Sequence, residues 1–229
     1  MTLKATPKAR RLLATILSVL AGVMVVGAVG LLGYPEYTNI RAENKQKVLR
    51  AELQNASAKL KAAYENPVKV GTTSGQATLA EGSPLTKIQI PKIGLDTIVV
   101  QGTSSQALAA GTGHYPQTPL PCSNTGNVAI AGHRTMNGHP FQDLNKMATG
   151  DTVTLMTPFQ ECTYTVVASV DGHPGVWTTL PNDWTVIAQT TAPFLTLTTC
   201  TPEGTASQRI VVRAQLTSVK NIVPGSTTR

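Results

Sequence analysis

Hydrophobic positions along the chain fall into three patterns: one long apolar run, a polar stretch with few apolar positions, and a series of short apolar runs. The long run, Leu12 to Leu32, contains no charged side chain. A helix needs about 20 apolar residues to span a bilayer, whereas the apolar region of a cleaved signal peptide usually has only about 7 to 15. The run therefore predicts a retained transmembrane anchor over residues 12–33, with a signal peptide as the alternative.

Basic residues flank the apolar run on both sides. Four lysines and arginines precede it, and four more follow it between residues 41 and 50. The first group abuts the run, the second is separated from it by GYPEYTNI, and a long following domain can be translocated regardless of its charge. We therefore expect residues 1–11 to form a cytoplasmic tail of a single-pass membrane protein, with the folded domain outside the cytoplasm.

The polar stretch has two parts. Residues 39–66 are rich in Ala, Lys, Glu, Gln and Leu and lack Gly and Pro, which predicts a helix that stops before Pro67. Because its apolar positions form only a thin stripe, we expect residues 34–67 to be a solvated juxtamembrane helical stalk, with pairing to another helix as the alternative. Residues 68–84 are rich in Gly, Ser and Thr and predict a flexible linker.

Short β-prone runs bounded by turn residues fill residues 85–219. The eight runs are KIQI, LDTIVVQG, GNVAIAGH, DTVTLMT, CTYTVVASV, TVIAQT, FLTLTTC and RIVVRAQL. Eight short strands with little helical pattern between them predict an all-β domain, a closed or nearly closed antiparallel barrel. Residues 220–229 are expected to form a C-terminal tail.

The charge of the chain is confined to its N-terminal part. Residues 1–61 hold ten Lys and Arg against three Asp and Glu, which accounts for the whole net charge of +7, and the remaining residues hold nine of each sign. A nucleic-acid-binding domain carries a basic excess on its binding surface. Because the predicted barrel is neutral, nucleic acid is not an expected partner.

The last two predicted strands bring a cysteine and an arginine together. FLTLTTC and RIVVRAQL flank TPEGTASQ, whose Pro-Glu-Gly is typical of a turn. The strands are therefore expected to be antiparallel neighbours with Cys200 opposite Arg209, about 5 Å apart. Alternation places Leu195 and Leu197 in the core and leaves Cys200 and Arg209 on the outer face. The core-facing residues of the last strand are then Ile210, Val212, Ala214 and Leu216.

A thiol nucleophile needs a partner that handles protons, and an acyl substrate needs a donor for the oxygen that becomes negative. Arg209 can supply the donor. His133 ends the predicted strand NVAIAGHR on the face opposite Val128 and Ile130, so it is the candidate proton carrier. The small side chains of Ala129 and Ala131 share that face and leave room for an extended peptide.

These residues resemble the signatures of the sortases, the Gram-positive cysteine transpeptidases. The resemblance rests on TLTTC at 196–200, Arg209 nine residues later and AGHR at 131–134, and it covers residues 86–216, including IPKIGLDTIVVQG and GTGHYPQT. It implies the eight-stranded sortase-type closed barrel and a substrate with an LPxTG or LAxTG sorting signal.

The resemblance also implies a role for each residue. Cys200 is the nucleophile that attacks the Thr-Gly carbonyl, His133 protonates the leaving amine and deprotonates the incoming one, and Arg209 holds the substrate and stabilises the oxyanion. The incoming amine belongs to a peptidoglycan precursor or to a pilin lysine. Thr199 is a weaker candidate for substrate binding. His114, in GTGHYPQT, either lines the groove or is a structural histidine.

The resemblance is strongest to the actinobacterial class E and F enzymes. Pilin-polymerising class C sortases carry an aspartate-aromatic lid before the barrel, which residues 68–86 lack, and Asp183-Trp184 lies too late in the chain to be that lid. The pilin-polymerising class stays an alternative. A further alternative is a non-catalytic, membrane-anchored β-barrel that only binds the cell wall or another protein.

The remaining cysteines, the histidines and the acidic residues lack the spacing of a metal site. We therefore expect neither a metal nor another cofactor. Outside the cytoplasm, where disulfides persist, Cys122 and Cys162 could pair and leave Cys200 free for chemistry. The sequence gives no distance between them, so this pairing is a hypothesis.

Overall fold

The computed structural model describes residues 7–56, 60–61 and 79–222. It divides into two compact units, one ending at Tyr37 and the other beginning at Thr38. The predicted linker at 68–84 lies largely outside the described residues, as does most of the predicted C-terminal tail.

Helix α1 runs from Pro7 to Asn55 without a break, and it has residues in both units. In the first unit the apolar side chains between Leu12 and Leu32 are exposed. By length and composition this helix can cross a membrane, which supports the predicted anchor. The helix continues past position 33 even though residues 34–40 include Pro35 and several weak helix formers, and residues 41–55 are mostly good helix formers.

The second unit contains eleven described strands and the short helix α2 (Ser105–Leu108). The strands are β1 (Pro84–Ile90), β2 (Leu95–Gln101), β3 (Thr112–His114), β4 (Asn127–Gly132), β5 (Thr152–Met156), β6 (Gln160–Val166), β7 (Ser169–Val170), β8 (His173–Pro174), β9 (Val176–Thr179), β10 (Phe194–Thr201) and β11 (Gln208–Asn221). Three short 3-10 helices cover Pro91–Ile93, Leu144–Lys146 and Trp184–Ile187.

Eight of these strands close into a barrel. Their order is β10-β4-β3-β2-β1-β5-β6-β11, and the pairing of β11 with β10 closes the ring. Strand β9 adds to β11, and β7 and β8 form a separate hairpin. The predicted closed barrel is confirmed, but the antiparallel expectation is wrong for two pairs, because β4 runs parallel to β10 and β2 runs parallel to β3.

One predicted strand has a different structure. TVIAQT was expected to be extended, whereas residues 184–187 form a 3-10 helix. The carboxylate of Asp183 caps this helix by accepting a hydrogen bond from the Thr185 backbone N–H at 3.1 Å and another from the Thr185 hydroxyl. A capping carboxylate competes with strand formation in this way. The sequence also missed β3 and β9, which are too short to show alternation.

The side-chain alternation predicted for the last two strands is confirmed. Leu195 and Leu197 of β10 are fully buried in the barrel core, where they join the core-facing residues of β11. On the outer face Val211 packs against Val186 and Ile187 in a smaller cluster. The core also contains the disulfide between Cys122 and Cys162, whose Cα atoms are 5.6 Å apart, so the hypothesised pairing is confirmed and Cys200 is the free cysteine.

The part of α1 in the second unit packs on the barrel. Leu49 and Leu53 of this helix, and Leu60 beyond its end, are buried in a second apolar cluster that includes Ile98 and Val100 of β2. The expectation of a solvated stalk is therefore wrong for this face of the helix. The thin apolar stripe suffices because β2 presents apolar side chains that match it.

Candidate active site

Cys200 and Arg209 lie directly opposite each other in the ladder between β10 and β11. The pairing runs from Phe194 opposite Gln215 to Thr201 opposite Gln208, and residues 202–207 form the connection. The predicted register is therefore confirmed. Because paired residues of an antiparallel ladder face the same side, both side chains lie on the outer face of the barrel.

The parallel pairing of β4 with β10 brings His133 to the same rim. Ala131 lies opposite Thr198, and both strands run towards the same end of the barrel. The hydroxyl of Thr199 donates to the carbonyl of Gly132 at 2.8 Å, which extends the contact by one residue beyond the backbone pairing. His133 and Cys200 follow immediately after these residues.

Gly132 is the small residue that this rim requires. A Cβ atom added to it would lie 2.6 Å from the ring of Phe141, which is fully buried. The backbone N–H of Phe141 also donates to the carbonyl of His133 at 3.1 Å. Phe141 therefore holds the backbone at Gly132 through its ring and at His133 through its N–H. A glycine is required before His133 because any larger residue would clash with this ring.

A groove with a volume of about 350 Å³ runs along this rim. His133, Cys200 and Arg209 all line it, together with Ala131 and Thr199. Another part of the lining comes from the segment between β9 and β10 and consists of Leu180, Pro181, Asp183, Trp184, Val186 and Ile187, which form one wall of the groove. Sequence reasoning missed this wall, although the exposed apolar residues Leu180 and Trp184 in a connection were a usable signal.

The electrostatic state of the rim follows from burial and hydrogen bonding. Burial lowers the pKa of His133, so its imidazole is mainly neutral at neutral pH. The Nη1 of Arg209 donates to the carbonyls of Ala206 and Gln208, both at 3.0 Å. A guanidinium has five N–H donors, and these two bonds engage one nitrogen while they hold the side chain at the groove.

His114 lies away from the groove. It is fully buried, its Nε2 donates to the carbonyl of Pro119 at 2.8 Å, and its Nδ1 is 2.9 Å from the side-chain amide of Gln101. Burial lowers its pKa to about 4, so the ring is neutral at neutral pH. His114 therefore does not line the groove, and of the two alternatives the structural histidine fits these contacts.

Thr199 lines the groove, but it is almost completely buried and its hydroxyl is bonded to Gly132. These contacts assign it to holding β4 beside β10 more directly than to binding substrate. Across residues 7–56, 60–61 and 79–222, no three or more His, Cys, Asp and Glu side chains are grouped so that they could hold a metal ion.

A half-exposed thiol that shares a groove with a histidine and an arginine, at the rim of a closed eight-stranded barrel, is the arrangement of a candidate cysteine-nucleophile enzyme. A sequence model of the sortase domain matches residues 88–217, which is more than half of the chain. The chain belongs to the sortase family, whose known members are cysteine transpeptidases that act at the cell surface.

The similar proteins include class E sortases. Sortase SrtE1 of Streptomyces coelicolor is 27% identical over 190 residues, which are 77% of this chain and 49% of that protein. The chain spans about half the length of the curated relatives it matches. The structure of sortase E from Streptomyces avermitilis is 33% identical with a TM-score of 0.54 and covers 65% of this chain and 97% of its own.

A structure of sortase E1 from Streptomyces coelicolor with a tripeptide in the active site is also similar. It is 27% identical, has a TM-score of 0.56, and covers 66% of this chain and 98% of its own. These matches agree with the barrel.

Proposed function

We propose that this chain is a membrane-anchored class E-like sortase that cleaves an LPxTG or LAxTG sorting signal between Thr and Gly and joins the released carboxyl end to a cell-wall amine. The observation that carries the proposal is that His133, Cys200 and Arg209 line one groove. The acceptor amine is that of a peptidoglycan precursor, and the catalytic domain lies outside the cytoplasm.

The first half of the reaction forms a thioester. The Cys200 thiol gives its proton to the His133 imidazole, and the resulting thiolate attacks the carbonyl carbon of the signal threonine. The carbonyl oxygen takes up the negative charge. The Arg209 guanidinium stabilises that charge because it lies opposite Cys200 in the ladder. The C–N bond then breaks, His133 donates a proton to the leaving glycine amine, and the threonine carbonyl remains bonded to sulfur.

The second half releases the product. An incoming amine attacks the thioester carbonyl, and His133, now neutral, accepts the proton that the amine loses. The C–S bond breaks and the thiolate of Cys200 is restored. Burial disfavours the charged imidazole of His133. The thiol and the imidazole exchange a proton, so the pH dependence of the reaction reports apparent pKa values of the pair and not of either group alone.

The shape of the groove supports an extended peptide substrate. Its lining includes the small Ala131 and, from the segment between β9 and β10, the apolar side chains of Val186 and Ile187. A chain that enters in extended form can place an apolar residue against these side chains while its backbone passes over Ala131. The similar sortase E1 holds a tripeptide in its active site, which supports the same use of the groove here.

The test is a hydroxamate assay on the full-length chain in detergent, with LPxTG or LAxTG peptides as substrate and hydroxylamine as the amine. We expect hydroxamate from the unaltered protein and none from Cys200→Ala. His133→Ala should reduce the rate about 10²-fold to 10⁴-fold, and Arg209→Ala should reduce it about 10²-fold to 10³-fold.

The matched control is His139→Ala, which removes an exposed histidine of the loop after β4 that does not line the groove. Its rate should equal that of the unaltered protein. A covalent peptide adduct on Cys200, seen as an increase in intact mass when no amine is present, gives a second readout. Full hydroxamate production by Cys200→Ala would exclude Cys200 as the nucleophile. Neither hydroxamate nor an adduct from the unaltered protein would favour the alternative of a β-barrel that only binds.

A further inference from the structure

Arg134 follows His133 directly and turns its guanidinium inward. The side chain is only 10% exposed. Its Nη1 donates to the hydroxyl of Thr201 at 2.8 Å and its Nε donates to the carbonyl of Gln142 at 3.2 Å. Its Nη2 donates to the side-chain oxygen of Asn145 at 3.3 Å and lies 3.5 Å from a carboxylate oxygen of Glu203.

These partners belong to two different segments of the chain. Gln142 and Asn145 lie in the segment that follows β4, as Arg134 itself does. Thr201 is the last residue of β10 and follows Cys200, and Glu203 lies in the connection that leads to Arg209. One guanidinium therefore joins the segment after His133 to the segment after Cys200.

The backbone hydrogen bonds between β4 and β10 do not join these two segments. Backbone pairing between β4 and β10 stops at Ala131 opposite Thr198, and the hydrogen bond from Thr199 to Gly132 extends it by one residue. His133 and Cys200 lie beyond that point. The bond from Arg134 to Thr201 is thus the contact that continues the connection between the two strand ends past the residues that carry the chemistry.

We propose that Arg134 is a positioning residue that sets the separation of the His133 imidazole from the Cys200 thiol by joining the ends of β4 and β10. The inference rests on the proposed function of these two residues. Arg134 is not among the side chains that line the groove, so its contacts assign it a positional role. Its loss affects proton transfer within the pair and leaves peptide binding nearly intact.

The chemistry of arginine suits this role. A planar guanidinium presents donors in fixed directions and can bond to several acceptors at once, whereas an ammonium on a flexible chain cannot reproduce that geometry. A misplacement of reacting groups by about 1 Å can reduce a rate by about 10²-fold. Arg134→Lys, which retains the charge, is therefore expected to be nearly as defective as Arg134→Gln.

The experiment compares the full-length protein with Arg134→Lys, Arg134→Gln and Thr201→Val in the hydroxamate assay. We expect kcat to fall about 10-fold to 100-fold in both Arg134 variants while KM changes less than about 3-fold. Thr201→Val removes one of the bonds and should show a smaller fall in kcat. Arg50→Gln, which loses an ion pair with Asp96 outside the groove, is the control and should retain kcat.

A second readout separates positioning from general stability. The rate of alkylation of Cys200 by iodoacetamide is measured between pH 5 and pH 9 in each variant, together with the thermal unfolding midpoint. If Arg134 sets the geometry of the pair, the pH profile of alkylation shifts in both Arg134 variants and stays unchanged in Arg50→Gln. Arg134→Lys with an unaltered kcat and an unaltered alkylation profile would overturn the inference.

The two proposals can fail separately. If the unaltered protein makes no hydroxamate with either peptide, the proposed function fails, yet the alkylation profile still reports whether Arg134 tunes the thiol. A loss of activity that matches the loss of folded protein, with an unchanged alkylation profile in the folded fraction, also overturns the positioning role.

Discussion

The side chain of Gln46 pairs with the backbone of Ile98 in the manner of a neighbouring strand. Its Oε1 accepts from the Ile98 N–H at 2.7 Å, and its Nε2 donates to the Ile98 carbonyl at 3.0 Å and to the Ala110 carbonyl at 2.7 Å. Strand β3 pairs with β2 only from Val99 onward. Gln46 therefore covers an edge of β2 that the sheet leaves without a strand partner.

This contact predicts that part of the stability of the barrel comes from helix α1. Gln46→Leu preserves helix propensity but removes the partner of the Ile98 N–H and of the Ala110 carbonyl, while the Ile98 carbonyl still accepts from the Thr112 hydroxyl. The free energy of unfolding should therefore fall by about 1 to 3 kcal/mol. Urea unfolding followed by circular dichroism measures the change. Gln54→Leu is the matched control, since Gln54 is exposed on the same helix, and an equal loss in both variants would contradict the role of the Ile98 contact.

The disulfide predicts a large dependence of stability on oxidation. Cys122 and Cys162 are separated by 40 residues in sequence, and closing a loop of that size typically stabilises a protein by about 2 to 4 kcal/mol. Replacing both cysteines with alanine should lower the free energy of unfolding by at least that amount, because both side chains are also buried in the core. Denaturation with and without reductant should differ by about 2 to 4 kcal/mol in the unaltered protein and not at all in the double variant.

Thiol counting provides an independent check of that assignment. Unreduced, denatured protein should react with one equivalent of a thiol reagent, and Cys200→Ala should react with none. Three reactive thiols in the unreduced chain would contradict the disulfide.

His114 predicts how stability depends on pH. Its pKa is about 4 in the folded protein and about 6.5 in the unfolded chain, so the unfolded chain binds the proton more readily between these values. The free energy of unfolding must therefore fall as the pH drops below 6.5, and this contribution is lost in full, at about 3 kcal/mol, below pH 4.

The measurement compares urea unfolding at pH 7 and pH 4. His114→Gln removes the titrating group, so its stability should change less with pH than that of the unaltered protein by about 3 kcal/mol. His139→Gln, at an exposed position, should follow the unaltered protein. Parallel pH curves for the His114 variant and the unaltered protein would exclude the assignment.

The burial of Arg213 predicts that this side chain stabilises the fold mainly by packing and not by its charge. The guanidinium is buried, donates to the Val186 carbonyl at 2.9 Å, and has its Cζ 5.8 Å and 5.6 Å from the ring centres of Trp177 and Phe194. Burial opposes the charged form and lowers its pKa. Arg213→Met fills the same space, so we expect a change within about 1 kcal/mol.

Arg213→Ala should instead cost about 2 to 4 kcal/mol, because it leaves a cavity between the two rings. Chemical denaturation of both variants measures the difference. A loss in Arg213→Met as large as that in Arg213→Ala would assign the stability to the charge, which makes the hydrogen bond to Val186 and an ion pair with Asp171 at 3.9 Å.

Much of the site could be predicted from local pattern. Alternation in FLTLTTC and RIVVRAQL gave the correct faces for Leu195 and Ile210, and the turn between the runs gave the register of Cys200 with Arg209. The wall of the groove could not be predicted in this way. The sequence TVIAQT has the pattern of a strand, whereas residues 184–187 form a 3-10 helix that Asp183 caps.

The sequence by itself determined the anchor-length apolar helix, the strand character of residues 85–219 and the pairing of β10 with β11, because these depend on composition and on neighbours close along the chain. The tertiary structure decided that β4 lies parallel to β10, which brings His133 to Cys200. It also decided that Gln46 covers β2 and that Arg134 reaches Thr201. Contacts between distant segments depend on how the whole core packs, and no local pattern encodes that arrangement.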